Sequence, residues 1–422
     1  METELEQYFD RLFPINRSLT GDGNRESLRI LSEIVDLQLH EIPSGTTCFD
    51  WTVPPEWNAW EAWIKNSAGE PIVDFKDLNL HLVGYSIPFR GKISLSELKT
   101  HLFSIPEMPE TVPYKTSYYE QRWGFCLKHN QLENLKEDTY EVLIDSELNQ
   151  NGSMTYGEAF IKGESDSEIL FSTYICHPSL ANNELSGPLV TSFIYKLLQG
   201  KKLRYSYRFL FLPETIGAIY YLSEHENNLR DKLIAGFVVT TIGDNGPFTY
   251  KRSRQGNTLS DKAVEMVLSQ TENDYSIEDF FPFGSDERQY CSPGLNLPVG
   301  SLMRTRYGKY KEYHTSDDNK SFISFDAMQK SVEKYIEVVD MIEKNQIFTN
   351  QFPFCEPQLG KRGLYPKDGS QKEIQEYINA TLWLLNLADG TNDLIAISQK
   401  SKINFNLLAQ IAEKLLKNGL IR

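Results

Sequence analysis

Four polar side chains stand where apolar segments give out. His177 follows SEILFSTYIC, Glu214 follows YSYRFLFLP, Asp244 follows KLIAGFVVTTIG, and His314 lies in the polar loop KEYHTSDDN shortly after NLPVGSLMRT. Imidazole and carboxylate together suit a zinc ion, and a carboxylate facing a metal-held water suits a general base. Each residue also has a plainer reading. His177 reads equally as a strand-end histidine bonded to backbone, Glu214 as a helix N-terminal carboxylate favoured by the macrodipole, and Asp244 as the cap of a turn with Asn245 and Gly246. Convergence of all four on one edge is what makes a metal or acid–base site the reading to test. Around His177, Pro178 stiffens the loop, and Asn182, Asn183 and Glu184 bring further oxygens just before Ser186–Gly187. His314 is flanked by Tyr313, Thr315, Asp317 and Asp318, and a nearby carboxylate can orient a ligand imidazole. Arg252, in KRSRQ, is either part of a solvated basic run or a bidentate partner for a substrate carboxylate.

Such convergence needs strands that share an edge. From about 141 to 345, continuous apolar runs of strand length alternate with helical patterns. That predicts an α/β fold, a mostly parallel sheet with helices on both faces. In such sheets ligands sit in the crevice beyond the carboxyl ends of the strands. Two helical patterns before residue 45 belong with this core, giving a domain of 1–45 and 141–347. Residues 46–140 read as an inserted β-rich domain with many prolines and five of the six tryptophans, whose aromatics are expected to form a local core. Residues 348–422 carry helical patterns of winged-helix type. Five basic residues against two acidic ones between Thr391 and Arg422 give that tail a net +3, and protein packing is expected of it rather than DNA contact.

Other chemistries find little support. The five cysteines are scattered with no CxxC pair, which favours free thiols, and Cys176 ends an apolar strand as a structural thiol rather than a nucleophile. Ser186 is in no GxSxG elbow, and no glycine-rich phosphate loop occurs. The 422 residues carry a net charge of −15, which argues against nucleic acid as a partner. The acidic, amphipathic N-terminus is unlike a signal peptide, and no uncharged apolar run approaches the roughly 18 residues of a membrane span. A cytoplasmic protein with no membrane partner is therefore expected, and a homo-oligomer is allowed.

ICHPSLANNELSG, LPETIG, TTIGDNGPFTYKRSR, FGSDERQYCSPGLNLPVG and YHTSDDN resemble the motifs of a bacterial aminopeptidase-like family within the zinc exopeptidase superfamily. Its members join the peptidase-like domain to an inserted β domain and a C-terminal winged helix, often beside surface-polysaccharide genes. The resemblance implies that His177 and His314 are metal ligands and that Glu214 is the general base. It also implies that Asp286 and Glu287 line the substrate cleft and hold a free amino group; Arg252 and Tyr313 are further candidates for substrate contact. Four positions depart from the superfamily pattern. Where it has a bridging Asp followed by Asn, this chain has Asn183 and Glu184, and two further carboxylate ligands are replaced by Thr215 and Thr240. One zinc ion on His177, His314 and a carboxylate, Glu184 or Asp244, is therefore expected rather than two. The function expected is metal-dependent hydrolysis of a peptide or small amide, most simply as an aminopeptidase. A deacylase acting on an amino sugar and an inactive binding or regulatory protein are the alternatives.

Overall fold

Glu168–Tyr174 and Ser206–Leu212 are rich in apolar residues and buried at almost every position, a pattern that suits strands covered on both faces. In a computed structural model of the chain, which describes residues 1–365 and 370–422, these two strands lie parallel at the centre of an eight-stranded sheet. The order across the sheet is Gln38–Pro43, Ser153–Ile161, Ser206–Leu212, Glu168–Tyr174, Leu233–Val238, Val299–Met303, Phe248–Lys251 and Tyr275–Glu278. The four middle strands are mutually parallel, and antiparallel pairings flank them on both sides. Phe171 stacks on Phe209 and meets Phe237 and Tyr335 on one face of this sheet. The fold is thus the expected α/β class.

Two compact units divide the described residues: Met1–Asp261 with Asp274–Tyr335, and Lys262–Asn273 with Ile336–Arg422. The first holds the large sheet together with a four-stranded antiparallel sheet. That smaller sheet is ordered Pro71–Asp74, Glu56–Lys65, Thr139–Asn149 and Phe89–Ser94. Its Thr139–Asn149 strand turns directly into Ser153–Ile161 of the large sheet, so the insert ends in a strand that crosses residue 140. Trp57 and Trp123 are buried in the insert, and Trp57 donates its ring N–H to Ser86 O at 2.9 Å; Trp51 and Trp60 remain exposed.

In the second unit Ile347–Thr349 pairs antiparallel with Asp389–Asp393. Helices Gln371–Leu387, Leu394–Ser401 and Phe405–Lys417 complete a winged-helix arrangement. Ser370 and Glu373 form a reciprocal cap on the first of these, and Asp393 caps the second through Ala396 N. No helix among the described residues is long and apolar enough to cross a membrane.

One glycine fixes the geometry of the loop that carries His177. A Cβ on Gly187 would sit 2.4 Å from Val239 O and 2.5 Å from Thr173 Oγ1. Helix Ser186–Leu198 can therefore start against the strand ends only because residue 187 has no side chain. A π-helical turn over Ala181–Leu185, fully buried, joins the loop to that helix.

Candidate active site

The neighbouring strands Glu168–Tyr174 and Ser206–Leu212 end in register, Tyr174 opposite Leu212, so His177 and Glu214 emerge beside each other. The loops leaving this edge hold left-handed backbone at Ser179 (φ 45), Thr215 (φ 66), Thr241 (φ 42) and His314 (φ 57). Non-glycine residues adopt this region at a cost, and such strain gathers where the surrounding structure must aim functional groups.

His177 meets a carboxylate on each side of its ring. Nδ1 pairs with Glu184 Oε2 at 2.7 Å, and Nε2 faces Glu214 Oε2 at 3.6 Å. Glu184 Oε1 accepts the Cys176 N–H at 2.5 Å and lies 3.8 Å from Arg17 Nε. Arg17 itself is buried, donating to His177 O at 3.0 Å and Leu12 O at 2.6 Å. Burial works to depress the His177 pKa, but the Glu184 carboxylate, then Glu214, outweighs it and raises it. The Cys176 thiol is pushed well up by burial and by both carboxylates, and its Sγ accepts the Glu214 N–H at 3.3 Å. That makes it a structural thiol, as expected.

His314 reaches the same place from the loop after Val299–Met303. Its ring lies 5.6 Å from the His177 ring, centroid to centroid, and stacks on Tyr313 at 4.0 Å. Tyr114, from the insert, touches both imidazoles, at 5.1 Å and 5.2 Å, and its N–H donates to His314 O at 2.8 Å. The insert thereby forms one wall of the site. Burial, then the charge of His177, pushes the His314 pKa down to about 3, so the ring is a neutral lone-pair donor.

Glu214 is mostly buried, and burial raises its pKa against the opposing pull of His177 and Arg288. The next residue, Thr215, is clamped in its left-handed conformation. Its N–H donates to Asp286 Oδ1 at 2.7 Å, and its hydroxyl accepts from Arg288 Nη2 at 3.0 Å. Asp286 Oδ2 is buried without a partner, and burial, then Glu214, lifts this carboxyl well above its usual range.

The remaining expected residues lie in other arrangements. Asp244 commits its oxygens to Asn182 Nδ2 (3.0 Å), Thr305 N and Oγ1 (3.1 and 2.7 Å) and Gly246 N (2.7 Å), which is the turn-capping role. Glu184 occupies the Nδ1 side of His177, so an ion on Nε2 would lie across the ring from it. Neither carboxylate expected to complete the ion thus faces Nε2; Glu214 does. Glu287 is engaged by Lys251 Nζ at 2.7 Å and Tyr307 OH at 2.9 Å, and Arg252 pairs with Asp279 at 2.6 Å. Tyr313 lies against His314. Arg17, Tyr114 and Arg288 also belong to the site, although residue types and spacing do not single them out. Only Arg288 carried a local signal, its place beside Asp286 and Glu287.

Asp318 ties the two histidine loops together, accepting N–H bonds from Asn182 at 2.6 Å and Asn183 at 2.9 Å. Burial nevertheless outweighs these bonds and raises its pKa to about 7. The folded state then binds the proton more tightly than the unfolded chain, so this contribution to stability is complete below the unfolded carboxylate pKa. It is lost as pH rises towards about 7. In chelator-treated protein, thermal stability should fall over that window, and Asp318→Asn should flatten the slope; an unchanged slope would contradict the assignment.

The donors fit one zinc ion. His177 Nδ1 is fixed by Glu184, leaving Nε2 towards the space shared with the neutral His314 ring and the Glu214 carboxylate. They do not fit a bridged pair of ions. The side chains of Asn183, Thr215 and Thr240 carry no negative charge, Thr240 Oγ1 is hydrogen-bonded to Tyr174 OH at 2.6 Å, and Thr215 is clamped by Asp286 and Arg288. Cys176, His177 and Glu184 also converge, with donor atoms within 4.8 Å of one another. A cation there would face Arg17 and displace the bonds that orient His177.

Comparison with known proteins agrees with this architecture. A family described as a domain of unknown function (DUF4910) matches residues 6–345, and a winged helix-turn-helix family matches 346–422. A protein of Clostridium acetobutylicum, provisionally named a polysaccharide biosynthesis protein with aminopeptidase-like domain, is 46% identical over 419 residues, covering 99% of this chain and 96% of its own. A crystal structure from the same organism, provisionally titled a peptidase, superposes with a TM-score of 0.93 at 46% identity, covering 100% of this chain and 96% of that one. A zinc aminopeptidase from Bacillus subtilis shares the fold at 10% identity, with a TM-score of 0.59 over 80% of this chain and 93% of its own. The chain therefore belongs to the DUF4910 family, and it joins an aminopeptidase-like α/β fold to a C-terminal winged helix.

Proposed function

We propose that this protein hydrolyses amide bonds as an aminopeptidase-like enzyme, with one zinc ion held by His177 Nε2 and His314 and with Glu214 as general base. The observation that carries the reading is the meeting of two distant imidazoles, 5.6 Å apart, with a carboxylate oxygen 3.6 Å from one of them. A zinc ion bound there would polarise a scissile carbonyl and lower the pKa of a water. The chain's own groups supply the rest. Glu184 keeps the His177 ring in one orientation with its proton on Nδ1. Glu214 takes a proton from the attacking water and returns it to the leaving amine, a role suited to a buried carboxylate of raised pKa. Asp286 Oδ1 holds the backbone that aims Glu214, and its unpartnered Oδ2 is available to a free amino group of a peptide or small amide. Tyr114 and Tyr313 wall the site against water.

A second reading is favoured by the neutral side chains at 183, 215 and 240: a protein that has kept the fold and lost turnover, working through its winged helix. Zinc-loaded protein should be offered aminoacyl-arylamides and N-acyl amino sugars, with and without chelator. Turnover of either class, lost with chelator and restored by zinc, supports the hydrolase and separates peptidase from deacylase. No turnover of either would remove it. On the same proposal the winged helix packs against protein, and DNA affinity that falls steeply with added salt would contradict that.

A further inference from the structure

Beside Glu214 lies a cavity of about 470 Å³ whose walls include Trp51, Thr215, Arg254, Phe280 and Arg288. It lies next to the candidate active site: Thr215, in its wall, follows Glu214 in the chain and donates its N–H to Asp286. Its two arginines are unusual in a chain of net charge −15. Several other guanidinium groups in this protein are met by acids: Arg11 by Glu33, Arg25 by Glu41 and Glu56, Arg208 by Glu158 and Glu168. Among the described residues neither cavity arginine makes an ion pair within 4 Å, although the Arg288 charge is felt by Glu214 and Asp286 nearby. Arg288 bonds only the Thr215 hydroxyl and leaves its Nε buried without an acceptor, and Arg254 bonds the neutral amide of Asn296 at 3.0 Å. A buried, unmatched guanidinium donor is costly and selects for an acceptor that arrives with a ligand. Trp51, about 40% exposed, and the half-buried Phe280 add flat apolar faces to the same cavity.

We infer that this cavity receives a carboxylate-bearing part of the substrate, gripped by Arg288 and Arg254 and laid against Trp51. The inference rests on the hydrolase reading only in taking the cavity as part of the substrate site, since its chemistry is that of binding. The carboxylate could belong to a sugar acid or to an acidic amino acid, and the face of Trp51 suits the ring of the former.

Binding should be measured by calorimetry on the full chain carrying Glu214→Gln, so that turnover plays no part. The probes are D-glucuronate, L-glutamate and D-glucose. At least one acid should bind at least about tenfold more tightly than D-glucose, and Arg288→Met and Arg254→Met should each weaken it about tenfold or more. Preference for D-glucuronate, reduced by Trp51→Ala, assigns the carboxylate to a ring, whereas preference for L-glutamate assigns it to an amino acid. Arg254 is exposed, so its replacement leaves folding out of the comparison. The inference is overturned if D-glucose binds as well as both acids, if neither acid binds, or if both arginine variants bind as the parent does. An enzyme active on neutral amides with no acid binding would sink this inference alone and leave the hydrolase standing.

Discussion

Glu214→Gln should lower amide turnover by about 10²–10⁴-fold while the protein keeps its zinc. Glutamine preserves the size of the side chain and its place beside His177 Nε2, 3.6 Å away, but cannot carry the proton from water to leaving amine. The backbone that aims it is held from elsewhere, by Cys176 Sγ on Glu214 N and by Asp286 Oδ1 on Thr215 N, so the fold should not notice the change. Metal content by mass spectrometry and turnover by arylamide release read the two effects separately. Zinc lost together with activity would make Glu214 a ligand. Activity retained would remove it from the mechanism.

Glu184→Gln should be the most damaging substitution to the folded state and to metal affinity together. Glu184 is fully buried and takes up three groups at once: His177 Nδ1, Cys176 N and the neighbouring Arg17 guanidinium. A neutral amide would leave Arg17 without a counter-charge in the interior, where breaking a buried ion pair costs about 3–5 kcal/mol. It would also loosen the imidazole that points at the ion, and loss of such an orienting carboxylate lowers metal affinity by about 10–100-fold. Denaturant melts should show the first effect and zinc titration the second. Stability and affinity both within error of the parent would show that Glu184 neither balances Arg17 nor orients His177.

What was legible in the sequence follows from which interactions are local. Continuous apolar strands such as Glu168–Tyr174 declare a sheet covered on both faces, and parallel strands put their carboxyl ends on one edge. The meeting of His177 with Glu214 could thus be anticipated from strand ends alone, and that with His314 from its place just beyond another. Side-chain direction in the loops could not. Glu184 sits in a π-helical turn that sends it to the Nδ1 side of His177, and Asp244 folds back on Asn182 and Thr305. Neither direction is written in residue spacing. Arg17 reaches His177 O across 160 residues, and Tyr114 arrives from the insert, so no local pattern marks either one. The winged helix was legible for the opposite reason: its caps and apolar helices are local features.

The proposed chemistry depends on one zinc ion shared by the imidazoles of His177 and His314. Elemental analysis of protein purified without chelator or added zinc, alongside His177→Ala and His314→Ala, tests it most directly. About one zinc per parent chain and almost none in either variant are expected. Metal-free parent protein that fails to take up added zinc, or variants that keep the parent's full complement, would contradict it.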